Sequence, residues 1–364
     1  MSLIPVLSDQ TPTTPAPSKP LVLEPGRAAL LACSAVALLA LAGWLLLRGG
    51  DRDGLALSDV PFPLEPCLVP PHTLAVAARP DTFPVLDAPR LLTLAEADAF
   101  RIGHGKFLVP GDRVIGVAVD GDACAFPLRI MEWHEVVNVT LGGRPIAVTF
   151  GALSESVRAW DRRVGRDLVD LRPSGVLASM NPLLWDAAAG EASSLWSQID
   201  GRAITGPRAQ RGAQLEPVPA VLVPWAAWRA EHPNTRVLAP DLRVGKLYKR
   251  NPYAGYMGRD TLPFPVFPLP PPGLAPKARV LAVEVEGSRA VYAVARVAAR
   301  AAATSGTWET EQAGETLLFE VLHDPAGVQP ESLRVTRRDG GPVFTVPALW
   351  FAWYASHPQD PLVD

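Results

Sequence analysis

The sequence predicts an α+β protein, mainly antiparallel β with short helices, internally duplicated and preceded by one transmembrane helix. Three observations carry this reading. An uncharged run of 20 residues lies near the N-terminus, a β-hairpin pattern occurs twice, and a helix with two tryptophans follows each hairpin.

The uncharged run is AALLACSAVALLALAGWLLL, residues 28–47, bounded by Arg27 and Arg48. At 1.5 Å rise per residue it spans roughly the 30 Å hydrocarbon core of a bilayer. A buried core helix seldom lacks every polar position. A cleaved signal peptide would want a shorter leader and a small-x-small site just after the run. The expectation is a retained single-pass anchor. Lys19 and Arg27 before it balance Arg48 and Arg52 after it, so basic residues do not set the orientation. Because a first apolar segment usually acts as the export signal, the C-terminal domain is expected outside, in the periplasm of a bacterial inner membrane. Residues 1–27, rich in Pro, Ser and Thr, are expected as a disordered tail, and residues 48–90 as a Pro-rich stalk.

The first element expected within the domain is a short helix after Thr93, where Thr93-x-x-Glu96 fits a capping box. The hairpin RVIGVAVDGDACAFPL, Arg113 to Leu128, follows, its turn at Asp120-Gly121, a pair that tolerates positive φ. That turn places Ile115 and Val117 on one face with Cys124 and Phe126, which makes Cys124 a core residue. The pattern returns as RVLAVEVEGSRAVYAV, Arg279 to Val294, with Glu286-Gly287 at the turn.

Each hairpin is followed at a distance by a related helix: WAAWRAEHP, Trp225 to Pro233, matches WFAWYASHP, Trp350 to Pro358, at six of nine positions. Helical spacing puts both tryptophans and the histidine of each on one face, and proline ends the helix. The first copy is therefore read as 91–260 and the second as 261–364. From Arg113 to Trp225 is 112 residues, from Arg279 to Trp350 only 71, so the first copy holds 41 extra residues and any distinctive function is expected there. His232 and His357, repeated before prolines, read as helix-end residues.

Candidate chemistry lies in the non-repeated part. Arg129-Ile130-Met131-Glu132-Trp133-His134-Glu135 leads to Asn138, and Ala299 and Arg300 stand at the equivalents of Trp133 and His134. A histidine beside a carboxylate can serve as a general base, so His134 and Glu135 are catalytic candidates. The alternative is a helix whose His134 bonds a neighbouring strand. Leu183 to Pro207 reads as another hairpin, with Trp196 and Gln198 on one face, and Tyr253 and Tyr256 sit in a turn-rich loop. Arg129, His134, Asn138, Trp196, Gln198, Tyr253 and Tyr256 are the binding candidates.

Several classes are excluded. A net charge of −3 without a long basic run argues against nucleic acid. Neither a phosphate-cradling Gly motif nor a Gly-x-Ser-x-Gly elbow occurs, and the six histidines have no zinc spacing, so no metal or cofactor is expected. Of the three cysteines, Cys33 lies in the apolar run. Cys67 and Cys124 could pair in an oxidising compartment or be two separate buried thiols.

The string RVIGVAVDGDACAFPLRIMEWHEVVN, followed by GGRPIAVTF, SLWSQIDGRAITGP, WAAWRAEHPNT and NPYAGY, closely resembles the bacterial family labelled domain of unknown function 3179. The resemblance runs from about Arg90 to His357. It implies a Cys-Pro-Leu-Cys-Gly-Thr loop directly after the Ile146–Phe150 strand, a thiol redox or soft-metal site. Here those positions hold Gly151, Ala152, Leu153, Ser154, Glu155 and Ser156. Gly151 and Ser154 replace the two sulfurs, and a serine hydroxyl stays protonated near neutral pH. The expectation is a binding or structural module, its partner an unknown small molecule or protein, rather than an enzyme. The alternatives are a non-thiol enzyme in which His134 and Glu135 activate Ser154, or residual redox or metal-binding function.

Overall fold

The computed structural model describes residues 55–364, apart from 103, 104, 188–192, 246, 325, 328–330, 342 and 364. The expected tail, the 28–47 anchor and Cys33 lie outside the described residues. Among the described residues no helix is long and apolar enough to cross a membrane. The described residues form one compact unit, built mostly of β-strands in several sheets with a few short helices.

The two hairpin patterns form as their turns require. Arg113–Val119 pairs antiparallel with Asp122–Pro127, and Arg279–Val285 with Ser288–Ala293. Asp120 and Gly121, like Glu286 and Gly287, take the positive φ that such tight turns need. Ile115 faces Phe126 and Val117 faces Cys124 across the first hairpin, and all four are fully buried.

Each hairpin sits in a sheet of the same plan. In the first, the order is Val221–Pro224, Arg113–Val119, Asp122–Pro127, Arg236–Leu238, with Leu91–Leu92 at the edge. In the second it is Phe344–Leu349, Arg279–Val285, Ser288–Ala293, Leu362–Val363. The senses also agree: antiparallel, antiparallel, then parallel. The strands entering the Trp-Trp helices, Trp225–Glu231 and Trp350–Ser356, occupy equivalent positions. Trp228 donates to Thr235 and Trp353 to Asp360, and each stacks on the histidine at its helix end, His232 or His357. A Cβ at Gly116 would run into the Trp228 ring, which is why glycine stands there.

The halves diverge in what covers these sheets. In the second, the meander Thr307–Gln312, Glu315–Leu322, Ser332–Arg337 packs Phe319 against Tyr292 and Val283. In the first, Val136–Leu141, Arg144–Gly151 and Ser156–Asp161 form the centre of a five-stranded sheet. A further four-stranded sheet, Leu74–Val76, Leu171–Ala178, Asn181–Asp186 and Leu195–Ser197, is present in the first half alone among the described residues.

Part of the segment expected as a stalk is built into these sheets. Leu74–Val76 pairs with Leu171–Ala178, Leu86–Asp87 pairs with Val136–Leu141, and Phe62 and Leu74 are core residues. Alternating prolines hid these short edge strands, which hold their place through tertiary pairing rather than local propensity. The capping box at Thr93 forms: Glu96 N–H donates to Thr93 Oγ1 at 3.3 Å and Thr93 N–H to Glu96 Oε2 at 2.8 Å.

Candidate functional site

The 151–156 segment is the tip of an antiparallel hairpin. Ser156 pairs with Gly151, and Ser154 N–H closes the turn on Gly151 O at 3.1 Å. The turn places Glu155 at φ 44°, a left-handed conformation that favours glycine. Gly151, Ser154 and Ser156 are all buried.

Their hydroxyls form one directed chain. Ser156 Oγ donates to Gln198 Oε1 at 2.6 Å, which uses its single proton. Ser154 Oγ lies 2.7 Å from Ser156 Oγ, which is left to accept, and shares its one proton between that oxygen and Gly151 O at 3.2 Å. Gln198 Nε2 donates to Thr149 Oγ1 at 2.9 Å, and Thr149 donates to the backbone carbonyl of Arg158 at 3.0 Å. A Cβ at residue 151 would collide with the hydroxyls of both Ser154 and Ser156. Position 151 thus points its side-chain direction straight at 154 and 156, and two serine oxygens fill that space.

The catalytic candidates do not converge on Ser154. His134 is buried at the end of the Leu128–His134 helix, with Nδ1 2.6 Å from Pro84 O and Nε2 2.7 Å from Tyr248 Oη. A carbonyl only accepts, so Nδ1 carries the proton and Nε2 accepts from the tyrosine. Burial lowers the His134 pKa, which keeps the ring neutral. Both ring nitrogens are occupied, so the expected His134–Ser154 pair is not formed. His134 ties its helix end to the loop at Pro84 and to Tyr248 in the Leu247–Lys249 turn, neither of them a strand.

Glu135 follows at φ 58° and accepts from Tyr253 Oη at 3.3 Å. Burial pushes its carboxyl up to about 7. It does not touch His134 through any hydrogen bond among the described residues. Glu132, also buried and pushed up by burial to about 7, accepts from Asn251 at 2.8 Å.

The binding candidates scatter. Trp196 is fully buried among Val136, Trp160 and Leu184, a core residue rather than a cleft aromatic. Asn138 donates to Asp87 at 2.8 Å and Leu171 O at 3.0 Å, pinning an edge strand. Arg129 pairs with Asp112. Only Gln198 and Tyr256 reach the 151–156 loop, Tyr256 by donating to Leu153 O at 2.8 Å. Cys67 and Cys124 are not joined, and burial pushes the Cys124 thiol up. Among the described residues no three His, Cys, Asp or Glu side chains are grouped to hold a metal ion.

What the sequence did not reveal is the role of Glu155. Its carboxylate accepts from Arg113 Nη1 at 2.8 Å and Arg279 Nη2 at 3.2 Å, and Arg279 Nε makes a further ion-pair contact at 2.6 Å. Burial alone would raise this carboxyl, but the two guanidinium groups more than offset it and hold it below the usual range. Arg113 and Arg279 are the opening residues of the two hairpins, so equivalent positions of the two halves meet on one carboxylate. Leu349 N–H adds a 2.7 Å bond to Ser154 O. The signal in the sequence was the repeated arginine; the partner, a lone glutamate between two serines, carried none.

Fold and site together describe a repeated β-rich domain whose halves are clasped by a buried hairpin tip. The chain belongs to the family described as "Protein of unknown function (DUF3179)", whose model matches residues 80–360. No curated protein and no solved structure matches the chain.

Proposed function

We propose that the chain is a membrane-anchored, exported binding or structural module in which the 151–156 loop serves as a clasp between the halves. On this reading it has given up the thiol redox or metal chemistry that the family resemblance implies at positions 151 and 154. The observation that carries it is the Ser154–Ser156–Gln198–Thr149 chain. Its protons run to a backbone carbonyl, so the serine has neither a sulfur's reactivity nor a base to activate it. Glu155, at φ 44°, stands where the family pattern has glycine, and its two arginines compensate the backbone strain. The uncharged 28–47 run supports the anchor.

The test uses the full chain in detergent. Reduction of a model disulfide by dithiothreitol should proceed at the background rate. Turnover that disappears in Cys67→Ser or Cys124→Ser, or stoichiometric tight zinc or copper binding abolished by His134→Ala, would overturn the module reading. Wild-type chain should sediment with membranes, and deletion of 28–47 should release it; wild-type chain in the soluble fraction would remove the anchor.

A further inference from the structure

Between the same two halves lies an open cleft of about 590 Å³, within the usual size range of small-molecule sites. Its walls come from both halves: Arg158 and the Ile199–Arg202 turn from the first, Glu284, Phe344, Val346 and the Trp353–His357 helix end from the second. Arg158 is 8% exposed and lines this cleft. Its guanidinium carbon lies 4.3 Å from the Trp160 ring centre and 5.1 Å from that of Phe344. The two rings hold the cation but give it no acceptor, and Nε is buried without a partner. No described side chain forms an ion pair with it.

Asp200 and Glu284 favour its charge from nearby, but neither forms an ion pair with it. Asp200 accepts from Ser197 at 2.8 Å and pairs with His357 Nε2 at 3.0 Å. Glu284 is an exposed wall residue that makes no ion pair with Arg158. Arg289 is already matched by Asp360. A buried guanidinium without an acceptor is costly, and folded proteins seldom retain one without compensation. Burial lowers the Arg158 pKa to about 10, which still leaves it charged at neutral pH.

We propose that this cleft binds a small organic carboxylate, its charged end on the Arg158 guanidinium and its apolar body against Phe344, Val346 and Ile199. The Arg158 guanidinium answers a negative charge with a planar fork that suits a carboxylate. Asp200, Glu284, Arg202 and Arg289 also line the cleft, and the flat guanidinium held between two rings matches a planar carboxylate better than a tetrahedral phosphate. This assignment rests on the binding-module reading and gives it a ligand class at a place separate from the 151–156 loop.

Titration of the full chain with phenylacetate, phenylacetamide and phenyl phosphate tests it by calorimetry. Phenylacetate should saturate, and the amide should bind at least about tenfold more weakly, as expected for losing a hydrogen bond to a charge. Arg158→Met should weaken phenylacetate by a similar factor without lowering the melting temperature, because the unpaired charge is gone. Equal binding of acid and amide, tighter binding of phenyl phosphate, absence of saturation, or undiminished binding in Arg158→Met would each overturn the proposal. Should Arg158→Met not fold, the acid–amide comparison on the wild-type chain still decides. A chain that binds no carboxylate and catalyses no thiol exchange loses this inference alone; thiol turnover would instead overturn the module reading.

Discussion

Two arginine environments at the junction of the halves make an instructive contrast. Around Glu155, the buried guanidinium of Arg113 and the half-buried one of Arg279, from equivalent positions, converge on one carboxylate, and Leu349 N–H bonds Ser154 O beside it. Around Arg158, a guanidinium as buried as that of Arg113 lies between two aromatic rings with no hydrogen-bond acceptor among the described residues. The first arrangement spends its charge on holding the halves together. The second leaves its charge without an ion pair, beside a cleft. Matched burial with unmatched partners separates a structural contact from a candidate binding contact better than residue type does.

The largest effect should come from breaking the matched side. Glu155→Gln would leave Arg113 and Arg279 without their counter-charge, at a cost on the order of 3–5 kcal/mol in urea unfolding. A loss well below 1 kcal/mol would mean that solvent, not Glu155, balances the arginines. Because the folded pKa of Glu155 lies below its ordinary value, its contribution is complete above about pH 4.5 and fades as the pH falls through the folded value. Wild-type stability should therefore drop in acid more steeply than that of Glu155→Gln.

Glu132 has the opposite sign. It keeps its proton in the folded chain up to about 7, whereas the unfolded chain releases it near 4.5. Stability from this group is present below 4.5 and is lost as the pH rises to about 7. Glu132→Gln should thus stabilise the chain at pH 8 by up to about 3 kcal/mol, at 1.36 kcal/mol per pKa unit, and have little effect at pH 4. Equal effects of the substitution at both pH values would contradict a raised carboxyl.

The hairpin tip sharpens the comparison at smaller scale. Gly151→Ala should cost about 1–3 kcal/mol, because its Cβ overlaps two fixed hydroxyls. Adding Ser154→Ala and Ser156→Ala should recover part of that loss in a mutant cycle; strict additivity would show that the overlap relaxes by backbone movement instead. Smallest is Ser154→Ala alone, about 1 kcal/mol for one hydrogen bond in a chain whose other members keep their partners. A larger loss would indicate that Ser154 anchors more than its neighbour.

Much of the fold was legible because it rests on local signals. Asp120-Gly121 and Glu286-Gly287 fix their hairpins by turn chemistry, and Thr93-x-x-Glu96 caps its helix through bonds three residues apart. The six-of-nine match between the Trp-Trp segments pointed to equivalent helices, and the two sheets repeat in order and sense around them. The strands at Leu74–Val76 and Leu86–Asp87 were not legible, since two or three residues between prolines carry no period.

The candidate site was legible only in part. His134 and Glu135 are adjacent in sequence, yet the helix end turns His134 toward Pro84 and Tyr248 and Glu135 toward Tyr253. Trp196 lies on the strand that precedes Gln198, but it goes to the core while Gln198 goes to the serines.

By itself, the sequence determined the β-rich class, the two hairpins, the Trp-Trp helices and the absence of cysteine at 151 and 154, because each depends on neighbours within a few residues. The tertiary structure alone decided that Arg113 and Arg279 share Glu155, that the serines at 154 and 156 fill one another's space, and that Arg158 has no partner. The arginine outcomes depend on groups 42 to 186 residues apart in the chain being brought within about 3–5 Å, and the serine pair, only two residues apart, is fixed by Gln198, 42 residues from Ser156; no local pattern encodes such distances.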